Sequence, residues 1–329
     1  MNTCDTLILA GLLITQDDQR RILEDAALAV RQGLVAAIGP RAEMTADWQP
    51  VDVLDCSSML VLPGLVNAHT HAAMTMLRGL ADDMPLIDWL TQRIFPVEAG
   101  LTPEEVRLGS LLGFAEMLRT GTTACMDMYI HEEQVLEAAH TAGIRCVAGE
   151  GAFQFPSACC PDYRAALETT LRLSERWQGN DRLRVAVMPH SVYTTTPEIL
   201  RACRDLAAGL ALPLHIHLAE SPAETAQCLS LHGKRPVAHA ADCGLFEVPC
   251  TVAHLVDVTD EEAALLARCD VTPVHNPSSN MKLASGIMPV PRLLAAGLDV
   301  ALGTDGAASN NQLNMFTEMG RAALLHKLA

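Results

Sequence analysis

Leu62-Pro63-Gly64-Leu65-Val66-Asn67-Ala68-His69-Thr70-His71 carries an apolar run through a Pro-Gly turn and delivers two histidines one residue apart. Read as a strand, the run has a period of two, so both imidazoles leave on the same side. Two neutral imidazoles converging on one point are half of a metal site. Spacing alone is weak support: with 12 histidines in 329 residues, chance gives roughly 0.4 His-x-His pairs per chain. A second pair, His215-Ile216-His217, lies further on. Either pair is equally compatible with two hydrogen-bonded histidines at a strand end, so the surrounding architecture has to decide.

From residue 61 the chain alternates strand, loop and helix. The predicted strands are Val61–Ala68, Thr122–Asp127, Ile144–Gly149, Leu183–Pro189, Pro213–Ala219, Cys250–Val256, Val271–His275 and Asp299–Gly303. Between the first two lies a helix, Pro103–Thr120, opened by Thr102 as N-cap with Glu105 three residues later and stopped by Gly121. Strict alternation implies parallel pairing with right-handed crossovers, and eight strands close a (β/α)8 barrel. An open sheet binding a dinucleotide or phosphate would need G-x-G-x-x-G or G-x-x-x-x-G-K-[ST], and neither occurs. Residues 1–60 read instead as a small all-β piece, with a hairpin at Arg31-Gln32-Gly33 and no helix of useful length. The expected domains are therefore 1–60 and 61–329.

In such a barrel the site lies at the C-terminal ends of the strands. His69 and His71 follow strand one, His190 strand four, and His217 with Glu220 strand five. His254, His275 and Asp305 close strands six, seven and eight. Candidate ligands and acid–base groups thus fall on one rim. His215 shares the face of His217 one layer deeper and reads as an interior hydrogen-bonding residue. His275 reads equally as a site residue or a loop-ordering one. His131, His140, His232, His239 and His326 read as surface or structural, Asp127 as a loop cap, and Asp82 and Asp83 as solvated.

Composition narrows the class. Half of the chain is hydrophobic but only 4% is aromatic, which suits an aliphatic parallel sheet wrapped in helices. A formal charge of −16 argues against nucleic acid or an anionic membrane as partner. Eleven cysteines, an odd number with no Cys-x-x-Cys, predict reduced thiols and a cytoplasmic protein. The N-terminal run Leu7–Ile14 lacks a basic flank and a cleavage site, and it is too short to span a bilayer.

Several stretches together resemble the amidohydrolase superfamily, in its cytosine deaminase and triazine hydrolase branch. They are Pro63–His71, His217-x-x-Glu220, His254 and Leu302-Gly303-Thr304-Asp305-Gly306, supported by His71–Gly79, Asp88-Trp89-Leu90, His275–Leu283 and Asp305–Asn311. Within the branch the chain is similar to deaminases of 5′-methylthioadenosine and S-adenosylhomocysteine. The resemblance implies a metal, usually Zn²⁺ with Fe²⁺ as the alternative, held by His69, His71, His217 and Asp305. Glu220 would protonate ring N1, Asp305 would take the proton of the attacking water, and His254 would orient that water. Trp89 and His190 would meet the base, Glu98 the ribose hydroxyls, Arg164 the 5′ substituent, and Ser309 would line the pocket.

Two-metal members of the superfamily bridge their ions with a strand-four lysine. That strand ends here in Met188-Pro189-His190, and the only lysines are Lys234, Lys282 and Lys327, so one metal is expected. The implied reaction is hydrolytic deamination of an adenine nucleoside to the hypoxanthine nucleoside and ammonia. The competing readings are hydrolysis of a free guanine, pterin or triazine at the same site and, remotely, a non-catalytic barrel scaffold. The resemblance also implies a homo-oligomer, and roughly a hundred further residues that would complete a β-sandwich begun by residues 1–60.

Overall fold

The computed structural model describes residues 1–328. The chain divides into two compact units, Met1–Gly64 and a larger one from Leu65 onward.

The first unit holds β1 (Asn2–Ile14), β2 (Ile22–Arg31), β3 (Leu34–Pro40) and β4 (Trp48–Val61) in one sheet of order β3-β2-β1-β4. β2 runs antiparallel to both β1 and β3, and β4 is parallel to β1. Gln32 and Gly33 take φ of 53° and 75°, the paired left-handed conformation of a two-residue hairpin turn. A seven-residue helix, Arg41–Asp47, was not expected; it is too short to show a period, and it buries only Met44, against Cys4, Leu7, Ala27 and Ala29.

The second unit is a (β/α)8 barrel. Its strands are β5 (Leu65–Thr70), β6 (Thr122–Tyr129), β7 (Arg145–Ala152), β8 with β9 (Leu183–Val185, Met188–Pro189), β10 (Leu214–Leu218), β11 (Cys250–His254), β12 (Val271–His275) and β13 (Ala301–Leu302). All pairings are parallel. Both pieces of strand four pair with β7, and between them the chain bonds to both neighbours: the Ala186 N–H donates to Ala148 on β7 at 3.1 Å and the next N–H, of Val187, to Pro213 before β10 at 2.9 Å. The last strand joins the first where the Asp305 N–H donates to the His69 carbonyl at 3.0 Å. Asn67 clamps this seam, since its Nδ2 donates to Thr304 Oγ1 at 2.7 Å and its Oδ1 accepts the Thr304 N–H at 2.9 Å.

The helix Pro103–Arg119 forms with the capping box that the sequence predicts. Strand one, however, starts at Leu65, because Val61 belongs to β4 and Pro63-Gly64 separates the two. The unit boundary accordingly falls after Gly64. The stretch Leu86–Glu98 is helical with one wide turn at Leu90–Ile94, next to Pro96, which offers no backbone donor. All eleven cysteines are free thiols. Among the described residues no helix is long and apolar enough to cross a membrane.

A Cβ on Gly303 would lie 2.5 Å from Asn276 Oδ1 and 2.8 Å from the His69 carbonyl. Gly303→Ala should therefore open the seam, lowering stability by about 1–3 kcal/mol in urea unfolding; an unchanged midpoint would show that the seam has slack.

Candidate metal centre and active site

His69 is the penultimate residue of β5 and fully buried, and His71 follows one residue beyond the strand. Their ring centroids are 4.8 Å apart, and that of His217, from β10, is 4.8 Å from His69 and 5.3 Å from His71. The Nε2 atoms of His71 and His217 approach to 3.3 Å, and Asp305 Oδ1 lies 3.0 Å from His71 Nε2 and 3.3 Å from His69 Nε2. The donor atoms of His69, His71 and Asp305 lie within 4.8 Å of one another, as do those of His69, His217 and His254.

The outer nitrogen of each ring is already engaged. His71 Nδ1 donates to the Met128 carbonyl, and His217 Nδ1 donates to the His190 carbonyl at 2.8 Å. His254 Nδ1 meets Asn280 Oδ1 at 2.9 Å. His69 Nδ1 contacts His215 Nε2 at 2.8 Å, while His215 Nδ1 faces the Thr251 carbonyl at 3.1 Å. A carbonyl can only accept, so His215 donates through Nδ1 and accepts through Nε2. His69 must then donate through Nδ1, which leaves its Nε2 as a lone pair. That atom is buried and has no hydrogen-bond partner. His215 is thus the interior bonding residue that its place in the sequence suggested.

Electrostatics point the same way. Burial lowers His69 to about 4, against the opposing pull of Asp305. Burial also acts to lower His71, but Asp305, Asp127 and the Met128 carbonyl outweigh it and raise the ring to about 9. Burial would raise Asp305, yet its contacts with His69 and His71 hold it well below the carboxylate range. The charge of Asp305 is thus matched by a His71 ring held in its charged form; a divalent ion among these donors would supply that positive charge in place of the His71 proton. Three imidazole nitrogens and one carboxylate oxygen are a donor set for a divalent ion such as zinc, and their hydrogen-bonded outer atoms are the arrangement that orients metal-binding histidines.

Glu220 stands beside this centre, its Oε2 3.7 Å from His254 Nε2. Burial, reinforced by the charge of Asp305, raises its carboxyl well above the usual range and so favours the protonated form. Its position is set by Glu224, whose two oxygens accept the N–H groups of Ala219 at 3.0 Å and Glu220 at 2.7 Å. Asp305 Oδ2 accepts from Ser279 Oγ at 2.5 Å and Ser309 Oγ at 3.2 Å, and its Oδ1 takes the Gly306 N–H at 2.8 Å.

Around these groups is a chamber whose wall includes His71, His190, His217, Glu220, His254 and Asp305, with Trp89 and Glu98 opposite. His190 is held by Thr194 Oγ1 at 2.8 Å, and burial lowers it to about 3, so its ring is neutral. Burial raises Glu98 to about 7, offset in part by the Tyr129 hydroxyl and by the charge on His71.

Two predicted pocket residues lie elsewhere. Arg164 is 65% exposed, on the helix Tyr163–Arg176, in an ion pair with Glu198 at 3.2 Å. Ser309 is buried behind Asp305 and touches its carboxylate instead of the chamber. His275 also stays outside: it is buried with Nε2 3.4 Å from His326 Nε2. Asp127 caps a loop as expected, accepting the Ala72 N–H at 2.6 Å. Sequence reasoning passed over Ser279, Glu224, Tyr129, Phe153 and Tyr193. For Glu224 a signal existed, the Ser221-x-x-Glu224 capping pattern after strand five; for the aromatic wall residues there was none.

Residues 60–329 match the amidohydrolase family. The chain belongs to that family. It is 64% identical over 328 residues to the 5-methylthioadenosine/S-adenosylhomocysteine deaminase of Desulfovibrio desulfuricans, covering 100% of this chain and 74% of that one. Among solved structures it superposes on an adenosine deaminase from Xanthomonas campestris with bound zinc (TM-score 0.97, 38% identity, 99% of this chain and 75% of that one). It also superposes on a zinc complex of atrazine chlorohydrolase from Arthrobacter aurescens (TM-score 0.87, 25% identity, 94% and 74%). The family and these zinc-containing relatives agree with the donor set: the chain is a metal-dependent hydrolase of C–N bonds in cyclic amidines, built on a (β/α)8 barrel.

Glu224→Ala would strip the acceptor from two buried N–H groups, each worth about 1–3 kcal/mol when left unpaired. Urea unfolding should register a loss on the order of 2–4 kcal/mol, and Glu224→Gln, which keeps one acceptor, should lose less. Equal losses would mean that Glu224 acts by packing alone.

Proposed function

We propose that this chain deaminates adenine nucleosides of the 5′-methylthioadenosine and S-adenosylhomocysteine class, using one divalent metal, zinc, held by His69, His71, His217 and Asp305. The observation that carries the reading is the convergence of inward imidazole nitrogens and Asp305 on one point, with the buried carboxyl of Glu220 beside it. The absence of a lysine at the end of strand four supports a single ion. Eleven free thiols support a reducing, cytoplasmic setting.

A divalent ion in this donor set supplies Lewis acidity, bringing the pKa of water from about 15.7 to about 7. The chain's own groups do the rest. Glu220 donates its proton to adenine N1, which makes C6 electron-poor. Asp305, ionised even though buried, accepts the proton of the attacking water and passes it to the departing nitrogen. His254, fixed by Asn280, presents Nε2 toward the reacting carbon and steadies the charge that develops there. The C6–O bond forms, the C6–N6 bond breaks, the remaining hydroxyl proton returns to Glu220 as the C6 carbonyl forms, and water has been exchanged for ammonia. Trp89 and His190 flank the base, and Glu98 is the acceptor for the ribose diol. A free heterocycle has no diol, so Glu98 favours a nucleoside over guanine or a triazine.

Glu220→Gln keeps the shape of the chamber and removes the proton. It should bind about one zinc per chain, as the wild type should, and lose turnover by about 10²–10⁴; near-normal turnover would remove Glu220 from proton transfer, and two ions per chain would overturn the single-metal site.

Glu98 binds hydroxyls best as a carboxylate, and its raised value means that it is neutral below about 7 and charged above. KM for the nucleoside should therefore fall as pH rises through about 7, and Glu98→Gln should flatten that dependence. A Gln variant that keeps the same pH profile would take Glu98 off the ribose.

A further inference from the structure

Outside the inner chamber lies a second cavity of about 420 Å³. Glu98, Phe153 and Tyr193 belong to both walls, so the two are continuous. With the base against the metal centre and the ribose at Glu98, the part of a nucleoside that enters the outer cavity is its 5′ substituent. We propose that this cavity selects an uncharged, apolar 5′ arm, such as a short alkylthio group, and discriminates against an arm that ends in a charged group. The inference rests on the adenine-nucleoside reading given above.

The wall chemistry makes the argument. Ile87, Leu90, Phe95, Phe153, Phe155 and Ala158 supply most of the surface. Phe95, Phe153 and Phe155 form one aromatic cluster, with centroids 5.2 to 6.4 Å apart. No lysine, arginine or histidine lines the cavity, and its one carboxylate is Glu98. Arg164, the side chain that the sequence resemblance assigned to the 5′ end, is exposed and paired with Glu198. An alkylthio arm would exchange water for aromatic and aliphatic contacts, and sulfur packs well against ring edges. The amino-acid end of S-adenosylhomocysteine would bring a carboxylate into a wall with no cation to meet it and with Glu98 to repel it. Gln227, on the helix Pro222–His232, is a neutral polar group on this wall and the natural place for a missing charge.

The test is kcat/KM of the zinc-loaded chain for 5′-methylthioadenosine and S-adenosylhomocysteine, repeated for Gln227→Arg and Gln227→Leu. The wild type should favour the methylthio compound by at least about tenfold, the scale on which apolar pockets discriminate. Gln227→Arg should shift that ratio toward S-adenosylhomocysteine by about tenfold, and Gln227→Leu should not. General damage to the fold would lower both substrates together and leave the ratio unmoved. Equal kcat/KM for the two compounds in the wild type, or an unmoved ratio in Gln227→Arg, overturns the inference while leaving the deaminase reading standing. Absence of turnover on both compounds and on adenosine overturns both.

Discussion

The carboxylate of Asp305 sits on the seam where the eighth strand meets the first, and two different demands converge on it. Its backbone N–H closes the barrel onto the His69 carbonyl, and its side chain supplies the negative charge around which His69 and His71 gather. The residue adopts φ of 60°, a conformation uncommon for a non-glycine side chain. Gly306, Ser279 and Ser309 hold the carboxylate in place by hydrogen bonds from three directions. Ala219 and His254 share the left-handed backbone, with φ of 51° and 79°. All three lie where a strand gives way to its loop, so strain is concentrated where side chains must be aimed, as is common at functional sites.

Burial is the force that tunes this rim. It drives His69 and His190 to neutrality and pushes Glu220 well above the carboxylate range, while Asp305 is held well below that range by its contacts with His69 and with the charged His71 ring. The two carboxyl groups are pushed in opposite directions because Asp305 touches His69 and His71 directly, whereas Glu220 feels His71 only as a more distant charge that burial and Asp305 outweigh. The outer hydrogen bonds of the imidazoles, to Met128, His190, His215 and Asn280, prevent the rings from turning their donors inward.

The barrel and the rim were legible because strand period and strand count act over long stretches. The spacing of His69 with His71, and of His217 with Glu220, places side chains without any tertiary knowledge. What could not be read depended on contacts between distant segments. Ser309 and Asp305 are four residues apart, yet whether the hydroxyl faces the chamber or the carboxylate is decided by the Ser279 side chain beside it. Arg164 failed because a helix position does not reveal which neighbour, here Glu198, will capture the charge. The break in strand four falls between two stretches that both pair with β7, an interruption that local composition does not encode.

The helical excursion Leu86–Glu98 sits between the first strand and the first long helix and contributes no strand to the barrel. It nevertheless carries Trp89, Glu98 and, with Phe95, part of both cavity walls. The donor histidines are anchored at strand ends, while part of the wall of both cavities is built on an insert that carries no strand. Such a partition lets descent tinker with the wall while leaving the hearth alone: the groups that hold the rings from behind, on Met128, His190, His215 and Asn280, all lie outside this one insert.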